Sequence, residues 1–91
     1  MRIRYLGHAA FEITDGRWNL LIDPFITGNP VCPVKAEELN PNYILVTHLH
    51  DDHVGDAVAI AKRTGATIIT SADAAYTLAD QGVQVADMAL G

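Results

Sequence analysis

Tyr43-Ile44-Leu45-Val46-Thr47-His48-Leu49-His50-Asp51-Asp52-His53-Val54-Gly55-Asp56-Ala57 is the stretch on which the fold turns. Its first five residues are apolar and rich in β-formers. They are too few for a helix and are set off by Asn40-Pro41-Asn42, so Tyr43 to Thr47 reads as a buried strand. The next six carry three imidazoles and two carboxylates, in a chain with four histidines in all. Imidazole nitrogen and carboxylate oxygen are the donors that Zn²⁺, Fe²⁺ and Mn²⁺ accept. If extended backbone continues past Thr47, His48 and His50 point to one side. Asp52 and His53 then fall in the turn that enters the following helix, where they can aim at a second point close by. Two donors for each of two neighbouring metals is the natural reading. A helical ligand pair needs i and i+4 on one helix face, whereas these donors sit in a strand-to-helix loop.

Working outward, Arg2 to Leu6 alternates as a half-exposed strand and Ala9 to Thr14 is a second. Asp15-Gly16 is a hairpin turn signal, and Trp18 to Asp23 is a third strand pairing back on the second. Pro24 to Pro41 holds four prolines and reads as a long loop with at most one helical turn, around Lys35 to Leu39. Beyond the donor-rich segment, a helix is predicted near Gly55 to Arg63, ended by Thr64-Gly65. Thr67 to Thr70 is a short buried strand. Ser71 is an N-cap for a helix to Asp80 or Gln81 with Gly82 at its end, and Val83 to Val85 starts another strand. Strand, helix, strand, helix, strand implies parallel pairing with right-handed connections. The hairpins in front make the sheet mixed, and the class α/β. Both faces of such a sheet normally carry cover, and these residues provide helices for one. Ile22, Leu45, Val46, Ile68 and Ile69 are therefore expected to line an uncovered face, which would be an association surface.

Composition narrows the class. Ninety-one residues make one small domain at most, residues 1–91. The net charge of −5 argues against nucleic acid or an anionic membrane as partner. No apolar run reaches the ~20 residues of a transmembrane helix, and the N-terminus turns polar too early for a secretory signal. A single cysteine, Cys32, excludes an internal disulfide and suits a reducing cytoplasm. No motif surrounds it, so it reads as a loop residue. Asp51 reads as a helix cap or solvent-facing residue, Asp56 as a first-turn helix acid, and Gly55 as permitting close helix packing. Trp18 and Phe11 read as core.

His48-x-His50-x-Asp52-His53 resembles the His-x-His-x-Asp-His signature of the metallo-β-lactamase superfamily. The flanks Ile44 to Thr47 and Val54 to Ala57, with Gly7-His8 and Asp23-Pro24-Phe25-Ile26-Thr27-Gly28-Asn29-Pro30, are similar to its UlaG-like branch. That branch comprises metal-dependent hydrolases, including L-ascorbate-6-phosphate lactonase. The resemblance implies the N-terminal half of an αββα sandwich, an incomplete domain whose relatives are about twice as long. It implies a divalent metal, two Zn²⁺ in the complete enzyme with Mn²⁺ or Fe²⁺ as alternatives, held by His48, His50, Asp52, His53 and donors beyond Gly91. Asp52 and His8 are expected at the catalytic centre, with Gly7-His8 near substrate or metal. Asp23, for which an Asx-turn is the purely structural alternative, is expected to orient a ligand histidine. The implied reaction is hydrolysis of an ester, lactone or phosphoester small molecule by metal-activated hydroxide. No histidine follows His53, so these residues alone are expected to be inactive. The competing readings are a non-catalytic metal-binding or assembly module and a homodimer of half-domains. The expected partner is thus a second copy or a missing C-terminal half.

Overall fold

A computed structural model of the protein describes residues 1–47 and 54–88. Strands β1 (Arg2–Gly7), β2 (Ala10–Thr14), β3 (Asn19–Ile22), β4 (Tyr43–Leu45), β5 (Thr67–Ser71) and β6 (Gln84–Met88) form one sheet in sequence order. The first three pair antiparallel, and β3 through β6 pair parallel. Helix α1 (Ala57–Thr64) connects β4 to β5 and α2 (Ala72–Ala79) connects β5 to β6. The long loop between β3 and β4 contains a single 3-10 turn, Ala36–Glu38, as its prolines predict. The α/β class and the mixed sheet are as read from the sequence.

Register separates the two faces. Glu12 pairs with Leu21, Leu21 with Ile44 and Ile44 with Ile68, and all four are buried. Ala57, Ile60 and Ala61 of α1 and Leu78 of α2 pack in the same core cluster as Leu21, Ile44 and Ile68, so both helices cover this face. One residue along each strand, Phe11 pairs with Ile22, Ile22 with Leu45 and Leu45 with Ile69. Because side chains alternate, this row faces away from the helices. No described helix covers it: Ile3 is 59% exposed and Phe11 36%.

Two expectations are corrected by this alternation. Val46 and Ile68 are buried on the helix side, not on the uncovered one. Phe11 and Trp18 are not core; Trp18 is 50% exposed, its ring 6.0 Å from Tyr43. Both reach only the bare face or the hairpin tip.

Element ends shift for local reasons. β4 stops at Leu45 and not Thr47, because the Thr47 N–H turns to Asp23 Oδ1 at 2.7 Å while the Val46 N–H still donates to the Ile69 carbonyl. Helix α1 begins at Ala57, since Gly55 has φ +46, and ends at left-handed Gly65. The Ala74 N–H donates to Ser71 Oγ, the predicted N-cap of α2, though that helix ends at Ala79. β6 runs to Met88, longer than expected, because all five residues of β5 offer it a partner. In the β2–β3 hairpin the Arg17 and Trp18 N–H groups donate to Asp15 Oδ1 at 2.9 and 2.7 Å. The Trp18 and Arg17 bonds favour the ionised form and lower the Asp15 pKa below 3.8.

Candidate metal centre

β1 and β3 run in one direction with β4, β5 and β6, so their carboxyl ends share one edge of the sheet. Open α/β sheets bind ligands at that edge. The described residues there include both non-glycine residues with positive φ, His8 at +56 and Asp23 at +44. Asp tolerates this region better than most residues, and left-handed backbone held in place by its surroundings is a feature of functional sites.

Asp23 follows the last residue of β3 and is 3% exposed. Its N–H donates to the Leu45 carbonyl at 2.8 Å, extending the β3–β4 ladder by one bond. Its carboxylate does not close an Asx-turn. Oδ1 accepts from the Thr47 N–H at 2.7 Å and Oδ2 from the Thr47 hydroxyl at 2.6 Å. A buried carboxylate needs such donors. Here they fasten Thr47, the residue that precedes His48 in the sequence.

The chain then turns, with the Phe25 N–H donating to the Asp23 carbonyl at 2.7 Å, and passes in front of α1. The Asp56 N–H donates to the Pro24 carbonyl at 2.9 Å. Asp56 Oδ2 accepts from the N–H groups of Ile26 (3.1 Å) and Thr27 (2.6 Å). Asp56 is the N-cap of α1 by position, yet its side chain makes no capping bond to that helix. It is therefore a tie to the loop, and the reading as a helix acid is corrected. Gly55 does permit close packing, but against the loop: a Cβ there would lie 2.4 Å from the Pro24 carbonyl oxygen and 2.6 Å from Phe25 Cα.

His8 lies in the turn between β1 and β2, exposed, its ring edge-on to Phe25 at 5.9 Å between centroids. The Tyr5 hydroxyl donates to its carbonyl at 2.7 Å. Asn29, buried, donates to the Leu6 and Phe25 carbonyls and accepts from the Val31 N–H, holding the loop over the end of β1. Thus Asp23, Thr47, His8 and the start of α1 all border the loop from Asp23 to Asn29. The sequence reading does not give the roles of Asn29 and Asp56 as ties to the loop. The Leu6 partner of Asn29 lies 23 residues away and the Ile26 partner of Asp56 lies 30 away, and no local pattern reports such distances.

His48, His50, Asp51, Asp52 and His53 lie outside the described residues. Among the described residues no group of three or more His, Cys, Asp or Glu side chains could hold a metal ion. The donor set of residues 48–53 does suit a divalent cation chemically: three neutral imidazoles supply nitrogen ligands and Asp52 a charge-compensating oxygen.

The architecture matches that of a metallohydrolase. Igni18, described as a novel metallo hydrolase from the hyperthermophilic archaeon Ignicoccus hospitalis, superimposes with a TM-score of 0.89 over 98% of this chain and 40% of that one, at 32% identity. The metallo-beta-lactamase superfamily pattern matches residues 4–91, and the chain belongs to that superfamily. The UPF0173 metal-dependent hydrolase of Symbiobacterium thermophilum is 82% identical over 100% of this chain, which spans 41% of that relative. The corresponding hydrolase of Heliobacterium modesticaldum is 52% identical, again over 100% of this chain and 38% of its own length. The chain thus spans about two-fifths of the curated relatives it matches.

Proposed function

We propose that this chain carries the first ligand segment of a metal-dependent hydrolase in the UlaG-like branch, acting on an ester, lactone or phosphoester small molecule. His48, His50, Asp52 and His53 would hold one or two divalent ions, with zinc the first candidate and Mn²⁺ or Fe²⁺ the alternatives. When bound, such an ion polarises the reacting carbonyl or phosphoryl group and acidifies water enough for attack near neutral pH. The chain's own residues position that chemistry. Asp23 holds Thr47, the residue before His48; Asp52 would contribute the negative donor; His8, exposed beside Phe25, would meet substrate. The observation that carries the reading is the buried Asp23 carboxylate, in left-handed backbone at the sheet's carboxyl edge, spent on the residue before the donor-rich segment.

The uncovered sheet face supports association with a second copy or with further chain, and the lone Cys32, free in the structure, is compatible with a reducing cytoplasm. No helix among the described residues is long and apolar enough to cross a membrane.

The test uses the full gene product. Elemental analysis after dialysis should find a divalent metal, and a phosphodiester or lactone should be hydrolysed in a way that chelator abolishes and the same metal restores. His50→Ala should lower both metal content and turnover. Metal retained with no turnover on any ester, lactone or phosphoester would favour the binding-module reading. An unchanged metal content in His50→Ala would overturn the ligand assignment.

A further inference from the structure

Residues 48–53 are entered from Thr47 and left through Val54 to Asp56, and both flanks are bonded to one short stretch, Asp23 to Thr27. The Asp23 carboxylate takes the N–H and hydroxyl of Thr47. On the other side the Pro24 carbonyl takes the Asp56 N–H, and Asp56 Oδ2 takes the N–H groups of Ile26 and Thr27. Gly55 lets the two backbones approach to a separation that any side chain would block. A residue in the N-cap position ordinarily uses its carboxylate on its own helix, and Asp56 does not. Its carboxylate is used wholly on the relation between the loop and the start of α1.

We propose that Asp56 is a positioning residue for the metal centre: by binding the Ile26 and Thr27 amides it fixes the exit of the ligand segment against the same stretch to which Asp23 fixes the entrance. The inference rests on the proposed ligand role of residues 48–53. Chelate affinity depends on donors being held in place before the ion arrives, since each donor ordered only on binding weakens the complex. One oxygen, Oδ2, accepts both amides, so an asparagine with its carbonyl oxygen there keeps both bonds. Alanine keeps neither.

The experiment titrates the metal-free full gene product with Co²⁺, reading affinity and the visible absorption that reports coordination geometry. Amide hydrogen exchange of Ile26 and Thr27 is followed in the metal-free state. Asp56→Ala should exchange both amides faster, bind Co²⁺ on the order of tenfold more weakly or worse, as mutated supporting partners of metal ligands typically do, and show an altered spectrum. Asp56→Asn should restore slow exchange, the spectrum, and affinity to within about threefold of the parent. Ile60→Val weakens the core of the same helix without touching the tie and should leave Co²⁺ affinity and spectrum unchanged. If Asp56→Ala binds Co²⁺ as the parent does while His50→Ala does not, the positioning role is wrong and the ligand assignment stands. If Ile60→Val loses as much affinity as Asp56→Ala, the effect is general destabilisation and the proposal fails. A parent protein with no Co²⁺ spectrum would overturn the metal reading and this inference with it.

Discussion

Gly55→Ala tests the close approach at the start of α1 most directly. At φ +46 a non-glycine residue costs roughly 1–2 kcal/mol of backbone strain. The new Cβ would also meet backbone, with the Pro24 carbonyl oxygen at 2.4 Å, Phe25 Cα at 2.6 Å and Phe25 N at 2.8 Å. Backbone cannot swing aside as a side-chain end can, so overpacking adds roughly 1–3 kcal/mol. The sum, roughly 2–5 kcal/mol, is a large share of the ~5–15 kcal/mol that holds a domain together. Gly16→Ala is the control: φ is +87, but a Cβ there meets nothing within 4 Å, so only the strain of roughly 1–2 kcal/mol applies. The entropy that alanine removes from the unfolded chain is common to both variants and cancels. Urea unfolding of the metal-free protein, followed by circular dichroism, should place Gly55→Ala below Gly16→Ala by roughly 1–3 kcal/mol. Equal losses would refute the argument, because the separation between loop and helix would then have room for a methyl group.

Asp23→Ala removes a charged acceptor from two Thr47 donors and should cost roughly 2–4 kcal/mol in urea, with Thr47→Val, which keeps the amide bond to Asp23 and loses the hydroxyl bond to it, costing about 1; a Thr47→Val loss equal to that of Asp23→Ala would contradict the role of the amide bond. Asp15 has a folded-state pKa below 3.8, so the stability its ionised form contributes is complete above that value and is lost as pH falls through the lower folded value. Asp15→Asn should therefore show a shallower fall of the urea midpoint below pH 4 than the parent, and parallel profiles would rule the contribution out. Phe11→Lys puts a charge on the uncovered face. If a partner surface covers that face, sedimentation equilibrium or a melt should show dissociation or a loss above 2 kcal/mol, whereas a change within the ±0.5 kcal/mol usual for free surface would mean the face is bare in solution.

The hairpin, the proline-rich loop and both helices were legible in the sequence because their signals are local. Asp15-Gly16 needs a turn, Gly65 is a left-handed stop and Ser71 is a cap, and each acts within a few residues. The allocation of faces was less legible. Val46 and Ile68 read like Leu45 and Ile69 in a continuous aliphatic run, and a one-residue step decides which pair meets the helices. The donor-rich segment announced itself by composition, while the residues supporting it did not. Asp56 reads like any helix acid and Asn29 like any residue of the long loop. Asp56 acts on the Ile26 and Thr27 amides and Asn29 on the Leu6 carbonyl, distant backbone groups that carry no side-chain signature.

Fastening both flanks of residues 48–53 to Asp23–Thr27 also governs where the chain tolerates a change of length. An inserted residue between Thr47 and Asp56 must bulge out, since neither end can give way without breaking bonds to the same five residues. Much of the stretch from Pro30 to Lys35 is exposed, and lengthening such a loop costs little, about 0.6 kcal/mol per doubling. Variation in loop length should therefore gather on the 30–35 side of the sheet edge and be absent from the 48–55 side. A protein engineer seeking to vary this edge should extend the chain there and leave the fastened segment at its present length.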